Sequence, residues 1–203
     1  MQAQPQQWGT LSGRVRECRA VDAQATAWSP QRGFTIVELM ITVAVAAVLL
    51  MIAVPSFKSI TLSNRLNTAA NDVVNAISVA RMEAVKRNAS TQFCSNSASA
   101  NTNDTLGGAC GTEAGAVWAM RGGAPSQVLA GVVSLAEPVR INGDMTALQF
   151  TAQGQAREAG SSSPFNTTVV DICTSQMSSD NHRVITMTAG TILATTTTSG
   201  ACP

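Results

Sequence analysis

Few groups in this 203-residue chain are placed to do chemistry, and Glu38 stands in the least ordinary setting. It lies near the start of PQRGFTIVELMITVAVAAVLLMIAVPSF, Pro30 to Phe57. No charge occurs between Leu39 and Val54, and no Lys or Arg between positions 39 and 57. An isolated ionised group inside a membrane-spanning helix costs on the order of 3 kcal/mol on insertion scales and normally has a partner. Glu38 therefore requires a cation from elsewhere, and a positive group on another copy of the helix is a candidate.

The remaining candidates point away from catalysis. His182 is the only histidine, set in a strand-like run between Asn181 and Arg183, and no G-x-S-x-G segment presents a serine nucleophile. Asp171 lacks a paired carboxylate and reads as a local hydrogen-bonding group. No C-x-x-C pair supplies tetrahedral spacing, so no metal and no cofactor is expected. Trp118 and Phe150 read as core residues of a chain with few aromatics. The chain is not read as an enzyme.

Cys94, Cys110, Cys173 and Cys202 form an even set, with Cys18 far upstream. Four cysteines allow three connectivities, and sequence does not choose among them. Pairing Cys94 with Cys110 and Cys173 with Cys202 is favoured. The first pair brackets a Ser/Asn/Gly-rich loop, and the second ties the chain end to a strand. Each closure of that size is worth about 3 kcal/mol in the chain-entropy picture, in an exported compartment where disulfides persist.

The elements that position these groups are legible in outline. With Phe34 to Val37, the apolar run reaches about twenty residues, or roughly 30 Å as a helix, which matches a bilayer core. Pro55 is tolerated there as a kink, because membrane helices accommodate proline. Residues 59 to 88 then carry apolar positions three and four apart, including Leu62, Leu66, Ala69, Val73, Ile77, Ala80 and Ala84, so an amphipathic helix ending near Asn88 is expected. Lys86 and Arg87 suit its C-terminal dipole.

Beyond position 88 the composition turns to Thr, Val, Gly and Ser. Eight short β-like runs are expected, at TQFCS, AVWAM, QVLAGVV, PVRIN, ALQFTA, TTVVDIC, HRVITMT and TILATTT. Turn-rich pieces such as AQGQA and EAGSSSPFN separate them, and Ser95 to Thr105 reads as a solvated loop. The fold class is α+β: a long N-terminal spine helix packed on an antiparallel β-rich head of residues 89–203.

Gly33, Phe34 and Glu38 at the head of an apolar helix, with Pro55 further on, resemble the processing site of type IV prepilins and pseudopilins. The resemblance implies that a prepilin peptidase/N-methyltransferase cuts between Gly33 and Phe34 and methylates the Phe34 amine. It also implies that Glu38 meets the N-terminal amine of a neighbouring subunit during assembly. The chain then divides into a cleaved leader 1–33, a transmembrane half 34–58, an amphipathic half 59–88 and the head. The leader carries Arg14, Arg16, Arg19 and Arg32 against Glu17 and Asp22, so it stays cytoplasmic and the rest crosses outward. At 33 residues it is long for such a leader, consistent with a start codon assigned upstream of the true one. Removing it leaves nine Lys plus Arg and ten Asp plus Glu, a balance that argues against a basic nucleic-acid binder.

The head, with Trp118, the LQFTAQG turn at Phe150 and Gly154, the late DIC strand and a terminal cysteine, is similar to the GspH/FimT/FimU group of minor pilins and pseudopilins and resembles its FimU-like and FimT-like members. That similarity implies a minor pilin at or near a pilus tip that helps prime assembly, in adhesion and twitching motility. Its partners would be other minor pilins, the major pilin and an inner-membrane assembly platform. A GspH-like secretion pseudopilin is the alternative. DNA-receptor members of the group carry Gly-Arg-x-Arg where this chain reads Gly190-Thr191-Ile192-Leu193, so both arginines for phosphate contact are missing. Arg140, Arg157 and Arg183 read as scattered surface charges.

Overall fold

The computed structural model describes residues 33–101 and 104–203. The leader up to Arg32, with Cys18 and its charged residues, lies outside the described residues. Two compact units divide the chain, at 1–44 and 45–203. In the first, the described part is residues 33–44, a short coil followed by the opening turns of helix α1 (Ile36–Arg87). Every one of these residues is exposed.

In the second unit α1 continues unbroken through Pro55, whose missing N–H leaves the Met51 carbonyl without its intrahelical donor. All described residues as far as Ile60 are exposed, the apolar ones among them included. The pattern changes at Leu62. Leu62, Leu66, Ala69, Ala70, Val73, Ala76, Ile77, Ala80 and Ala84 are buried, a stripe at spacings of three and four along one face. Five alanines in that stripe keep it narrow and let the sheets approach. The helix stops in a Schellman arrangement: Asn88 takes φ 50°, its N–H bonds to the Val85 carbonyl, and the Ala89 N–H reaches the Ala84 carbonyl.

Among the described residues nine strands follow in two antiparallel sheets. The first has the order β3 (Ala124–Leu129), β2 (Val117–Arg121), β1 (Thr91–Phe93), β5 (Leu148–Phe150), β6 (Ala156–Glu158). The second runs β4 (Arg140–Ile141), β7 (Thr167–Cys173), β8 (His182–Thr188), β9 (Ile192–Thr198). Inward residues of both, among them Phe93, Val117, Leu148, Phe150, Ile172, Ile185 and Met187, meet the helix stripe in one core. The fold is therefore the α+β arrangement of a long apolar helix packed on antiparallel sheets.

Several local expectations need correction. Strand β6 occupies the Ala-Arg-Glu between two segments read as turns, because pairing with β5 overrides a weak local pattern. Residues 95 to 105 are not simply a solvated loop. They include α2 (Ala98–Asn101) and the start of α3 (Thr105–Cys110), with Asp104 capping α3 by accepting the Gly107 N–H at 2.9 Å. Asn101 there is buried, accepting the Ser95 N–H and donating to the Ser95 and Gly111 carbonyls. Trp118 is half-buried and packs on a satellite cluster of Cys94, Cys110 and Ala116, outside the main core.

Cys94 is bonded to Cys110 and Cys173 to Cys202, with Cα separations of 5.6 and 5.8 Å. Polar tethers add to the apolar contact between α1 and the sheets. Thr91, fully buried, donates its hydroxyl to the Ala80 carbonyl at 2.7 Å. Arg183 is not a surface charge but 5 % exposed, donating to Asn67 Oδ1 at 2.7 Å, Ser63 Oγ at 3.1 Å and two backbone carbonyls. Arg81 spans from α1 to the Gly190 and Thr191 carbonyls and lies 5.9 Å from the Phe150 ring centre. Glycine is required at 190, where φ is +66° and a Cβ would stand 2.4 Å from the Ala156 carbonyl oxygen.

Two outcomes test this packing. Arg183→Met is expected to lower the stability of the folded head by about 2 kcal/mol, since Asn67 and Ser63 lose a charged donor, and a urea midpoint equal to wild type would contradict the tether. Glu83 sits between Lys86 and Arg87, and its hydrogen bonds to Arg87 and then Lys86 hold its carboxyl below its ordinary 4.5. A depressed carboxylate stabilises the fold above its unfolded value and loses that contribution as pH falls through the folded one. Glu83→Gln should thus lower stability slightly at neutral pH, leave it nearly unchanged in acid where Glu83 is protonated, and so flatten the acid limb of the profile below pH 4.5.

Candidate processing and assembly site

Local chemistry at the head of α1 begins with Thr35. Its hydroxyl accepts the Glu38 N–H at 3.2 Å, and its carbonyl accepts the Leu39 N–H at 3.1 Å, so it is the N-cap. Thr35-Ile36-Val37-Glu38 is a capping-box sequence, a signal that inspection for a processing motif passes over. Glu38 falls in the first turn, where the helix dipole favours a carboxylate by about 0.3–1 kcal/mol. That is well short of the roughly 3 kcal/mol cost of an unpaired charge in hydrocarbon. The cap explains where the helix starts; it does not supply the missing cation. Among the described residues no side chain bonds to the Glu38 carboxylate.

Gly33 lies in coil just before the helix, with no heavy atom within 4 Å of where a Cβ would stand. Phe34 is 80 % exposed. The Phe34 side chain does not pack into the core of the described residues. Pro55 is in α1, and the four cysteines are in the head, apart from this site in sequence and function. The helix from Ile36 is long and apolar enough to cross a membrane.

The head brings together groups that sequence spacing kept separate. His182 is buried, and its Nδ1 lies 2.9 Å from both carboxylate oxygens of Asp171, to which it donates; Asn142 donates to Asp171 at 2.8 Å. The segment after β9 covers this pair. Gly200 exchanges two hydrogen bonds with the Asn181 side chain, a Cβ on Gly200 would stand 3.2 Å from His182 Nε2, and Cys202 is bonded to Cys173. Among the described residues the buried His182 Nε2 has no hydrogen-bond partner, while its Nδ1 joins β8 to Asp171 of β7 as a clasp. Nothing in the sequence spacing announced it, because the contact depends on the β7–β8 register.

Of the three arginines noted as surface charges, Arg183 is consumed by its tethers, Arg157 is half-buried in β6, and Arg140 is exposed as expected but bound to Glu137 at 2.6 Å and to the Pro203 carbonyl. The position corresponding to the DNA-receptor motif is the β8–β9 turn, whose Gly190 and Thr191 carbonyls bind Arg81.

Comparison with known proteins follows the same division of the chain. A family model described as type II transport protein GspH matches residues 69–191, more than half of the chain. A model described as the prokaryotic N-terminal methylation motif matches residues 28–54, which contain Gly33, Phe34 and Glu38. No curated protein and no solved structure gives a match.

Capping at Thr35 is directly measurable. Thr35→Ala should speed amide exchange in the first turn of α1 about fivefold, the effect of losing roughly 1 kcal/mol of N-cap stabilisation. Unchanged exchange at Glu38 and Leu39 would mean that the cap is not used.

Proposed function

The chain belongs to the GspH family of type IV pilins and pseudopilins and carries their N-terminal methylation motif, and from that premise we propose that it is a minor pilin of a type IV pilus. The observation that carries the proposal is the Gly33-Phe34 junction, with Glu38 beyond it, heading an apolar helix that its own chain leaves uncovered. Such a helix is stable in a bilayer before assembly and among other apolar helices after it.

In this reading a prepilin peptidase hydrolyses the Gly33–Phe34 bond and the freed Phe34 amine is methylated. The new amine of one subunit supplies the cation that Glu38 of its neighbour lacks. The subunit is held in the inner membrane by α1 with its head in the periplasm, where the two disulfides persist. It then enters the filament at or near the tip, in the manner of FimU, and helps prime assembly with other minor pilins, the major pilin and the assembly platform. DNA uptake ranks lower, because Arg183 and Arg140 already have protein partners and the Gly190 turn carries no arginine.

The family description itself favours a second reading, a pseudopilin of a type II secretion machine. A deletion strain separates the two: loss of surface pili with normal export supports the pilus, and loss of export with normal pili supports secretion. For either machine, Glu38→Ala should insert in the membrane at wild-type level while its recovery in filaments falls about tenfold or more, as for loss of a close interfacial charge pair. Normal incorporation of the alanine variant would contradict the ion-pair role.

A further inference from the structure

The two sheets have four edges, and three are closed to a further strand. Strand β4 is two residues long. Strand β6 has three residues, two of them Arg157 and Glu158; its Ala156 N–H is taken by the Gly190 carbonyl and its Ala156 carbonyl by the Phe165 N–H. Strand β3 carries Pro125 and pairs with β2 through a bulge. Short length, charge, proline and bulges are the devices that natural sheets use to prevent pairing with another chain.

Strand β9 has none of them. It is seven residues long, Ile-Leu-Ala-Thr-Thr-Thr-Thr, without charge, proline or glycine, and it pairs with β8 over seven residues with no register shift. Six of its residues are exposed, and half-buried Leu193 alone packs on the core. The further bonds at β9 run back to β8, from Thr186 Oγ1 to the Ala194 carbonyl and from Thr196 Oγ1 to the Val184 carbonyl. Its outer row of N–H and C=O groups is left to solvent, in a β-branched strand suited to a ladder.

We infer that β9 is a docking edge to which a neighbouring, different pilin subunit adds an extended, uncharged strand. The inference rests on the assembly reading above, and membrane geometry selects the partner. Strand β8 presents Arg183, Ile185 and Met187 to α1, so the helix lies along one face of this sheet. Antiparallel pairing of β9 with its own copy requires a two-fold axis along the sheet normal, which reverses α1 in the second copy. Two chains anchored the same way in one membrane cannot meet like that. Parallel pairing of β9 with its own copy needs a two-fold axis along the strand, which carries the second α1 to the opposite face of the joined sheet, away from a shared helix bundle. With β3, β4 and β6 blunted a second copy offers no other edge, whereas a different subunit with its helix in the same sense and on the same face can offer one. Main-chain hydrogen bonds then supply affinity, and the absence of charge on β9 selects an uncharged strand.

Proline substitution tests the edge on the full-length chain in its host. Adjacent residues of an antiparallel strand alternate between inward and outward N–H groups, so one of Thr195→Pro and Thr196→Pro removes only an outward donor and leaves β8–β9 pairing intact. That variant should reach wild-type level in the membrane yet fall about tenfold in sheared filaments, the effect of losing roughly one inter-subunit hydrogen bond. Equal incorporation of both proline variants would overturn the inference. Should both variants misfold, amide exchange of wild-type residues 192–198 decides: slower exchange in filaments than in detergent supports docking, and equal exchange overturns it. A detergent-stable homodimer broken by the outward proline would identify a second copy as the occupant and overturn the choice of partner. Wild-type chain that never leaves the membrane for a filament would instead defeat the assembly reading itself.

Discussion

An α-helix that is apolar on every side has to be surrounded, and among the described residues every position of α1 from Ile36 to Ile60 is exposed. Fully burying one large aliphatic side chain is worth about 1.5–3 kcal/mol, so leaving more than a dozen of them in water would exceed the whole stability of a domain. Lipid or other apolar helices must supply what the chain does not. This requirement bears on the rest of the molecule: Glu38 becomes costly because its environment is hydrocarbon, and the head must fold on the remaining half of the same helix.

The second half of α1 meets the opposite demand. A narrow alanine-rich stripe brings the helix close to both sheets, and only one face is used. Packing on small residues carries little positional information along the helix axis, which gives the polar tethers their importance. Arg183, Arg81 and Thr91 each bond from the head to a defined turn of α1, or from α1 to a defined turn of the head. Together they fix the register of helix against sheet. The disulfides act at the margins: one closes the α2–α3 segment against the strand end, and the other holds the C-terminal segment over His182.

Readability from sequence followed the range of the forces. The spine helix and its end at Asn88 were legible because they depend on periodicity and a local stop signal, and the Glu38 setting was legible because its cost is set by immediate neighbours. Strand β6 was hidden, since three residues with two charges become a strand only through pairing with β5. Arg183 was misread as surface because an arginine 116 residues from its Asn67 partner leaves no local trace of burial. The His182–Asp171 clasp and the Arg81 contacts with the Gly190 turn are hidden for the same reason. The Thr35 cap is legible in sequence, as the Thr-x-x-Glu spacing is local.

The account's central claim is that Phe34 becomes the first residue of an exported, oxidised subunit. Intact-mass and N-terminal analysis of the protein taken from its host's membrane, without reduction, tests this most directly. A chain starting at methylated Phe34, with the four head cysteines in two disulfides, is the predicted result. A chain still carrying residues before Phe34, or one with free thiols in the head, would contradict it and reduce the opening helix to a plain membrane anchor.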